Sequence, residues 1–291
     1  MNKWKMGKIR HNISLKTLTS YKLDGMASAL IEPENIEELK NCISYMKENG
    51  YQYKIIGGGS NLIFDGDYDG YLVKLKNFDD VKVNHTEVTV GSGYSTQKLA
   101  MKMCKLGLTG LEFATGIPGT IGGACVNNAG AYGSDMGYII KSVKVLTPTL
   151  EIKVMQNKEL DCHYRTSFFK KNDGYVILEA TLLLHKGNKE EILEIVEDRK
   201  KRRLEGQPLE YPSAGSVFRN PVGCYAGKLI EDIGYKGKTI GDAMVSTKHA
   251  NFIINTGNAS GKDIIQLIEE IQTKVKEEYN IKLILEQEIV K

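Results

Sequence analysis

Between Gly110 and Gly137 the chain reads GLEFATGIPGTIGGACVNNAGAYGSDMG, placing eight of its thirty glycines in one run that is almost free of charge. Where glycine removes the side chain, main-chain N–H groups can close directly around a ligand, and phosphate or pyrophosphate oxygens are what such groups favour. The run also carries Asn127, Asn128, Tyr132 and Ser134 as polar contacts. A second cluster, GGGSN from Gly57 to Asn61, follows the β-branched run Lys54-Ile55-Ile56. Tight turns alone would explain the short cluster. They do not explain the long one, because a turn needs only one or two glycines. Two bare loops in one chain point to a nucleotide cofactor.

The elements that must carry these loops narrow the choice. Residues Asn35 to Asn49 set Ile36, Leu39, Cys42, Ile43 and Met46 on one face, open with Asn35 three positions before Glu38 and stop at Gly50, as an amphipathic helix does. Tyr53 to Ile56 reads as a buried strand. The order is therefore helix, strand, glycine loop, followed by the strand-like Leu62-Ile63-Phe64. A dinucleotide fingerprint requires a strand, G-x-G-x-x-G and then a helix, and no glycine loop here ends in the Gly-Lys-Ser/Thr of a P-loop. Both explanations fail. Strands are expected at Gly70–Lys76, Val81–His85, Glu87–Gly91, Lys141–Leu146, Ile152–Met155 and Tyr175–Leu184, with a helix from Ser95 to Leu106. A second helix, Asn188–Arg203, opens on the pair Asn188 and Glu191 and closes on a basic run that suits a helix C-terminus. The remainder reads as a short helix at Ala226–Ile233, a long one at Ser260–Tyr279 and a terminal strand, Lys282–Val290.

At 291 residues the chain has room for two or three subdomains. A net charge of +3 argues against a dedicated nucleic-acid binder and leaves an anionic metabolite open. The five cysteines, Cys42, Cys104, Cys125, Cys162 and Cys224, contain no C-x-x-C pair, so neither a disulfide framework nor a zinc site is supported. His249 and the pair Cys162-His163 lack a third ligand at useful spacing and read as structural; no metal is expected. The stretch MNKWKMGKIRHNISLKTL has no apolar core of a signal peptide, and no later stretch is apolar for long enough to span a bilayer. A cytoplasmic protein without membrane insertion is expected.

The motifs GGGSN, GIPGTIGGACVNNAGAYG, YRTSF, PSAGSVFRNP, AGKLIE and KHANFIIN, in this order, resemble the UDP-N-acetylenolpyruvoylglucosamine reductase family, flavoenzymes that make UDP-N-acetylmuramate for peptidoglycan. The resemblance spans nearly the whole chain. It implies an α+β architecture with an FAD-binding fold of the vanillyl-alcohol-oxidase type. Residues 1–80 and 81–200 would form two FAD-binding subdomains, and 201–291 a substrate-binding domain. FAD would contact Gly57, Gly58, Gly59, Ser60 and Asn61, and also Ile117, Pro118, Gly119, Thr120, Gly122 and Gly123. Neither loop contains a histidine, which argues for noncovalent flavin, with NADPH as hydride donor and a UDP-sugar as substrate. No obligatory protein partner is inferred.

The resemblance also gives the chemistry its residues. Arg165 in YRTSF would hold the enolpyruvyl carboxylate with its fixed, always-charged fork. Ser216 in AGSVF would donate a proton to the carbon beside the one that takes the hydride. Glu288 in LEQEIV would be the third catalytic residue, although strand alternation puts Glu286 and Glu288 on the same face, so spacing alone does not separate them. Asn220 and Tyr225 match positions that meet the substrate diphosphate or sugar. The chain departs from the family pattern at Gly206, where a lysine is usual, at Val290, where an arginine is frequent, and at Asp24, which interrupts a Gly-Gly pair. Those departures keep two alternatives open: a flavin oxidoreductase acting on another substrate, and a non-catalytic flavin or sugar-nucleotide binding protein.

Overall fold

The computed structural model describes residues 5–291; residues 1–4, at the start of the first expected subdomain and of the stretch read for a leader, lie outside the described residues. Early strands are β1 (Lys8–Ser14), β2 (Met26–Glu32), β3 (Tyr53–Ile56), β4 (Leu62–Phe64) and β5 (Tyr68–Lys74), and a four-stranded sheet has the order β1-β2-β5-β3. By contacts the described chain separates into two compact units. The first holds the chain up to Arg10, Leu30–Gly58 and Tyr71–Arg202; the second holds His11–Ala29, Gly59–Gly70 and Arg203–Lys291.

In the first unit, α1 (Ile36–Glu48) forms where the periodicity predicts it. Asn35 Oδ1 accepts the Glu38 N–H at 3.0 Å, and the Glu38 carboxylate accepts the Glu34 N–H at 2.9 Å and pairs with Lys5 at 2.9 Å. These bonds, the Glu34 N–H first and Lys5 next, hold the Glu38 carboxyl below its ordinary range. Leu39, Cys42, Ile43 and Met46 are buried against Ile31, Val73 and Leu75.

The main sheet of this unit has five strands. Its order is Ile152–Gln156, Ile140–Leu146, Val176–Leu183, β7 (Glu87–Gly91) and β6 (Val81–Asn84), antiparallel throughout. α2 (Thr96–Lys105), capped by Ser95, buries Leu99, Ala100 and Met103 in the core that covers one face. The glycine run, read above as loop-like, contains a helix, α3 (Ile121–Asn127). Gly122 and Gly123 are poor helix formers. Burial of Ile121, Ala124 and Cys125 in the core outweighs that preference. The basic run also does not end its helix, which spans Lys189–Gly206 with Asn188 Oδ1 accepting the N–H groups of Glu190 at 2.9 Å and Glu191 at 3.2 Å.

The second unit has its own core. Leu267, Ile268, Ile271 and Val275 of the helix Gly261–Tyr279 are buried with Val217, Phe218, Leu229, Ile230 and Val245. A reciprocal Ser260–Asp263 capping box starts this helix. The terminal strand is shorter than expected. Only Glu288–Val290 is a strand, paired in parallel with β4 as Glu288↔Leu62, Ile289↔Ile63 and Val290↔Phe64. Upstream, Leu285 makes an isolated antiparallel bridge to Phe218, and the Arg219 N–H donates to the Ile284 carbonyl at 2.9 Å. Backbone that changes partners in this way does not form one continuous ladder. Among the described residues no helix is long and apolar enough to cross a membrane.

Candidate functional site

In the first unit Gly57 and Gly58 lie against Gly119 and Thr120 of the longer glycine run. A Cβ on Gly58 would stand 2.7 Å from the Gly119 Cα, and one on Gly57 would stand 2.5 Å from Thr120 Oγ1. Neither position has room for a side chain, so the first requirement these glycines meet is close approach of one backbone to another. The opening of α3 is also engaged within the protein. The Ile121 N–H donates to the Tyr94 carbonyl at 2.9 Å and the Gly122 N–H to the Ser92 carbonyl at 2.8 Å, while Thr120 Oγ1 accepts the Gly123 N–H at 3.4 Å. The Ser92 hydroxyl, buried next to Gly122, has no hydrogen-bond partner. A bare double loop with an orphaned hydroxyl at its base suits a large polar ligand, and these residues fit a flavin nucleotide.

Arg165 sits in a turn whose ends are closed by two bonds, His163 N–H to Thr166 carbonyl at 3.0 Å and Thr166 N–H to His163 carbonyl at 3.1 Å. Its φ is +55°, a left-handed conformation uncommon for a side-chain-bearing residue, and its guanidinium lies 5.3 Å from the centre of the Tyr164 ring. The turn is stapled to α3. Asn128 Nδ2 donates to the His163 carbonyl at 2.9 Å, and Ser167 Oγ to the Val126 carbonyl at 2.7 Å. Asp161 accepts from Lys171 at 2.6 Å and pairs with His163 at 2.9 Å, and both contacts, Lys171 foremost, keep its carboxyl below the usual range. Burial pushes the Cys162 thiol up to about 11. That is the opposite of an activated nucleophile.

In the second unit Ser216 follows Gly215, whose φ is +76°, and is half-buried. The loop is fastened on both sides. The Val217 N–H donates to the Asn251 carbonyl at 2.9 Å, and the Asn251 side chain copies a strand, accepting the Phe218 N–H at 3.0 Å and donating to the Phe218 carbonyl at 2.8 Å. The Glu286 N–H donates to the Val217 carbonyl at 2.8 Å, and Gln287 Nε2 to the carbonyls of Ala214 and Gly215, each at 3.1 Å. The Ser216 loop is thus bonded directly to the segment that carries Glu288. Asn61 braces the same segment: its carbonyl accepts the Glu288 N–H at 2.9 Å and its Nδ2 donates to the Glu286 carbonyl at 3.2 Å.

Glu288 is exposed, Glu286 half-buried and Gln287 between them buried. Asn220 Oδ1 accepts the Ala226 N–H at 3.0 Å, where the helix Ala226–Asp232 begins, and Tyr225 is 72% exposed beside it. Gly57 and Gly58 belong to the first unit with Ile117–Gly123 and Arg165; Gly59, Ser60 and Asn61 belong to the second with Ser216, Asn220, Tyr225 and Glu288.

Position 206 has open space where a Cβ would stand, whereas Val290 is buried. His249 is a packed residue, its ring 4.8 Å from that of Phe252 and its Nδ1 accepting the Asn251 N–H at 3.2 Å; burial lowers its pKa. The residues not foreseen are Asn251, Gln287 and Tyr21. An asparagine between apolar residues, as in ANFIIN, is a signal for Asn251; Gln287, between two glutamates, and Tyr21 carry none.

Residues 27–155 match the family description "FAD binding domain", and residues 207–290 match "UDP-N-acetylenolpyruvoylglucosamine reductase, C-terminal domain". Over 287 residues the chain is 43% identical to the UDP-N-acetylenolpyruvoylglucosamine reductase of Anoxybacillus flavithermus, covering 98% of this chain and 95% of that one. The chain belongs to the UDP-N-acetylenolpyruvoylglucosamine reductase family. The reductase of Clostridium novyi is 45% identical over 283 residues, 97% of this chain and 92% of that one. The crystal structure of the reductase from Thermus caldophilus superposes with a TM-score of 0.84 at 33% identity, covering 98% of this chain and all of that one. A 6-hydroxy-D-nicotine oxidase from Arthrobacter nicotinovorans shares the fold alone, with a TM-score of 0.50 at 16% identity over 62% of this chain and 42% of that one. The family fold is therefore the α+β FAD-binding type of the vanillyl-alcohol oxidases, and FAD is the cofactor of this reductase family member.

Proposed function

We propose that the protein reduces UDP-N-acetylglucosamine enolpyruvate to UDP-N-acetylmuramate with NADPH, a step of peptidoglycan synthesis in the cytoplasm. The observation that carries this reading is the direct bonding of the Ser216 loop to the segment bearing Glu288, in a chain that belongs to the reductase family. Bound FAD supplies the hydride carrier between nicotinamide and alkene. Gly57 to Asn61 and Ile117 to Gly123 would hold it. The Ile121, Gly122 and Gly123 N–H groups already have protein partners, so what these residues would offer the cofactor is room for close approach.

Arg165 binds the enolpyruvyl carboxylate through its two-pronged guanidinium and stabilises the negative charge that builds there. A serine hydroxyl is a weak acid. Ser216 Oγ delivers its proton only because the carbon facing it has become a strong base and because the loop holds it in place. Glu288 completes the set, and Asn220 and Tyr225 bind the UDP-sugar. In this reading residues 1–80 and 81–200 serve the flavin and 201–291 the substrate.

The test is to follow flavin colour without oxygen: NADPH should bleach the purified protein and the enolpyruvyl substrate should restore the colour. Acid precipitation should release the flavin into the supernatant. In Ser216→Ala, bleaching should keep its rate while recolouring slows by about 10²- to 10⁴-fold, the usual contribution of a general acid. Equal slowing of both halves would reassign Ser216 to flavin placement, and failure of the substrate to restore colour would overturn the reading.

A further inference from the structure

We propose that Gln287 is a positioning residue that fixes Ser216 relative to Glu288, with Tyr21 as its anchor. The inference rests on the roles given above to Ser216 and Glu288. Gln287 is 4% exposed, and its amide makes three hydrogen bonds within the second unit, using both its nitrogen and its oxygen. Nε2 donates to the Ala214 and Gly215 carbonyls, each at 3.1 Å, and Oε1 accepts the Tyr21 hydroxyl at 3.1 Å. A buried amide whose nitrogen faces two carbonyls and whose oxygen faces a hydroxyl has one orientation, because a flip would set oxygen against oxygen.

Both ends of this link are anchored. Tyr21 is fully buried, and its carbonyl accepts Asn255 Nδ2 at 3.0 Å; Asn255 Oδ1 in turn accepts the N–H groups of Gly257 and Ala259, each at 3.0 Å. On either side of Gln287, Asn61 takes the Glu288 N–H and donates to the Glu286 carbonyl, so the segment cannot slide along its neighbour. The Ala214 and Gly215 carbonyls directly precede Ser216. Rotation of the Gln287 amide would release the peptide units that aim the hydroxyl, and Gly215, with its φ of +76°, gives those units freedom to move once released. A weak acid depends on placement more than a strong one does. A 1 Å error in a reacting group costs about 10²-fold.

The chemistry separates this role from packing. In Gln287→Glu the side-chain shape is kept, but an ionised carboxylate would face two carbonyl oxygens. Burial and those oxygens raise its pKa, so the protonated form, which donates one bond and accepts from Tyr21, exists at the lower pH. Oxidation of the reduced flavin by substrate should then fall as pH rises through that raised pKa, a limb the native protein lacks. Gln287→Leu should slow the same step by about 10²-fold at saturating substrate and leave flavin reduction by NADPH within about twofold.

The experiment measures both half-reactions, their pH profiles and the melting temperature for the native protein, Gln287→Leu, Gln287→Glu, Tyr21→Phe and the double variant Gln287→Leu/Tyr21→Phe. The double variant removes the orphaned hydroxyl, so it should regain melting temperature without regaining the oxidative rate. Tyr21→Phe alone, which keeps the Nε2 bonds, should lose less than Gln287→Leu; if Gln287→Leu does not fold, an oxidative loss in Tyr21→Phe with normal flavin reduction carries the inference. Recovery of rate together with melting temperature, equal slowing of both half-reactions, or a Gln287→Glu profile identical to the native one would overturn it. A native protein that the enolpyruvyl substrate does not reoxidise overturns the proposed function instead.

Discussion

Asn128 binds the carbonyl of His163 at 2.9 Å, and through that bond the end of the glycine-rich helix holds the turn that presents Arg165. The same side chain accepts the Gly137 N–H at 2.8 Å, and Asn128 itself caps α3 in a left-handed conformation with φ of +43°. Asn128→Ala removes both bonds, takes the acceptor from the half-buried Gly137 N–H while the His163 carbonyl keeps the Thr166 N–H, and adds left-handed strain, for a total cost of about 1–3 kcal/mol. Asn128→Gly keeps the backbone conformation and should recover part of the loss. Thermal unfolding of the three proteins checks the order, and KM for the UDP-sugar should rise in both variants.

Arg165 is strained where it stands, with φ of +55°. Arg165→Gly relieves the backbone, an effect of about 1 kcal/mol, while removing the charge proposed to meet the carboxylate. Melting temperature should therefore hold or rise as kcat/KM falls by at least tenfold, the weight of roughly one charge-assisted contact. A parallel fall in stability would show that the arginine serves the fold.

Glu286 and Glu288 flank the buried Gln287. Two residues of strand separate them by about 7 Å, too far to share one role. Glu288→Gln should depress turnover strongly with flavin content unchanged, and Glu286→Gln should be close to neutral. Steady-state rates at saturating NADPH and substrate decide it. If Glu286→Gln is the crippled variant, the assignment at the end of the chain is wrong.

The lowered pKa of Glu38 predicts a stability effect in acid. A carboxyl whose folded-state pKa lies below its unfolded value contributes stability that is fully present above the unfolded value and lost as pH falls through the folded one. Glu38→Gln keeps an acceptor for the Glu34 N–H but not the charge beside Lys5. The variant should melt below the native protein near neutrality, and the difference should close as pH falls below the ordinary carboxylate range.

The helix at Ile36–Glu48 was legible because its cap and its apolar spacing act locally, and the same holds for Gly261–Tyr279. α3 is not, since two glycines in its first turn argue against a helix and the support beyond its Thr120 cap is the distant packing of Ile121, Ala124 and Cys125. The motifs marked Arg165, Ser216 and Glu288 by resemblance alone. Their supports, Asn128, Asn251 and Gln287, are ordinary amides in sequence and acquire meaning only when the carbonyls they reach are known. The expected terminal strand, Lys282–Val290, overruns the observed Glu288–Val290 because alternation records which side a residue faces and not whether a neighbouring strand is there to pair with it.

The second unit is assembled from three separated stretches, and the bond from Tyr21 to Gln287 joins residues 266 positions apart, while the five-stranded sheet is built within the single stretch Tyr71–Arg202. Closing a long loop before its contacts form is slow. During refolding the sheet should therefore consolidate early, with the Ser216 loop and the Glu288 strand joining last, so that recovery of catalytic turnover lags behind recovery of secondary structure.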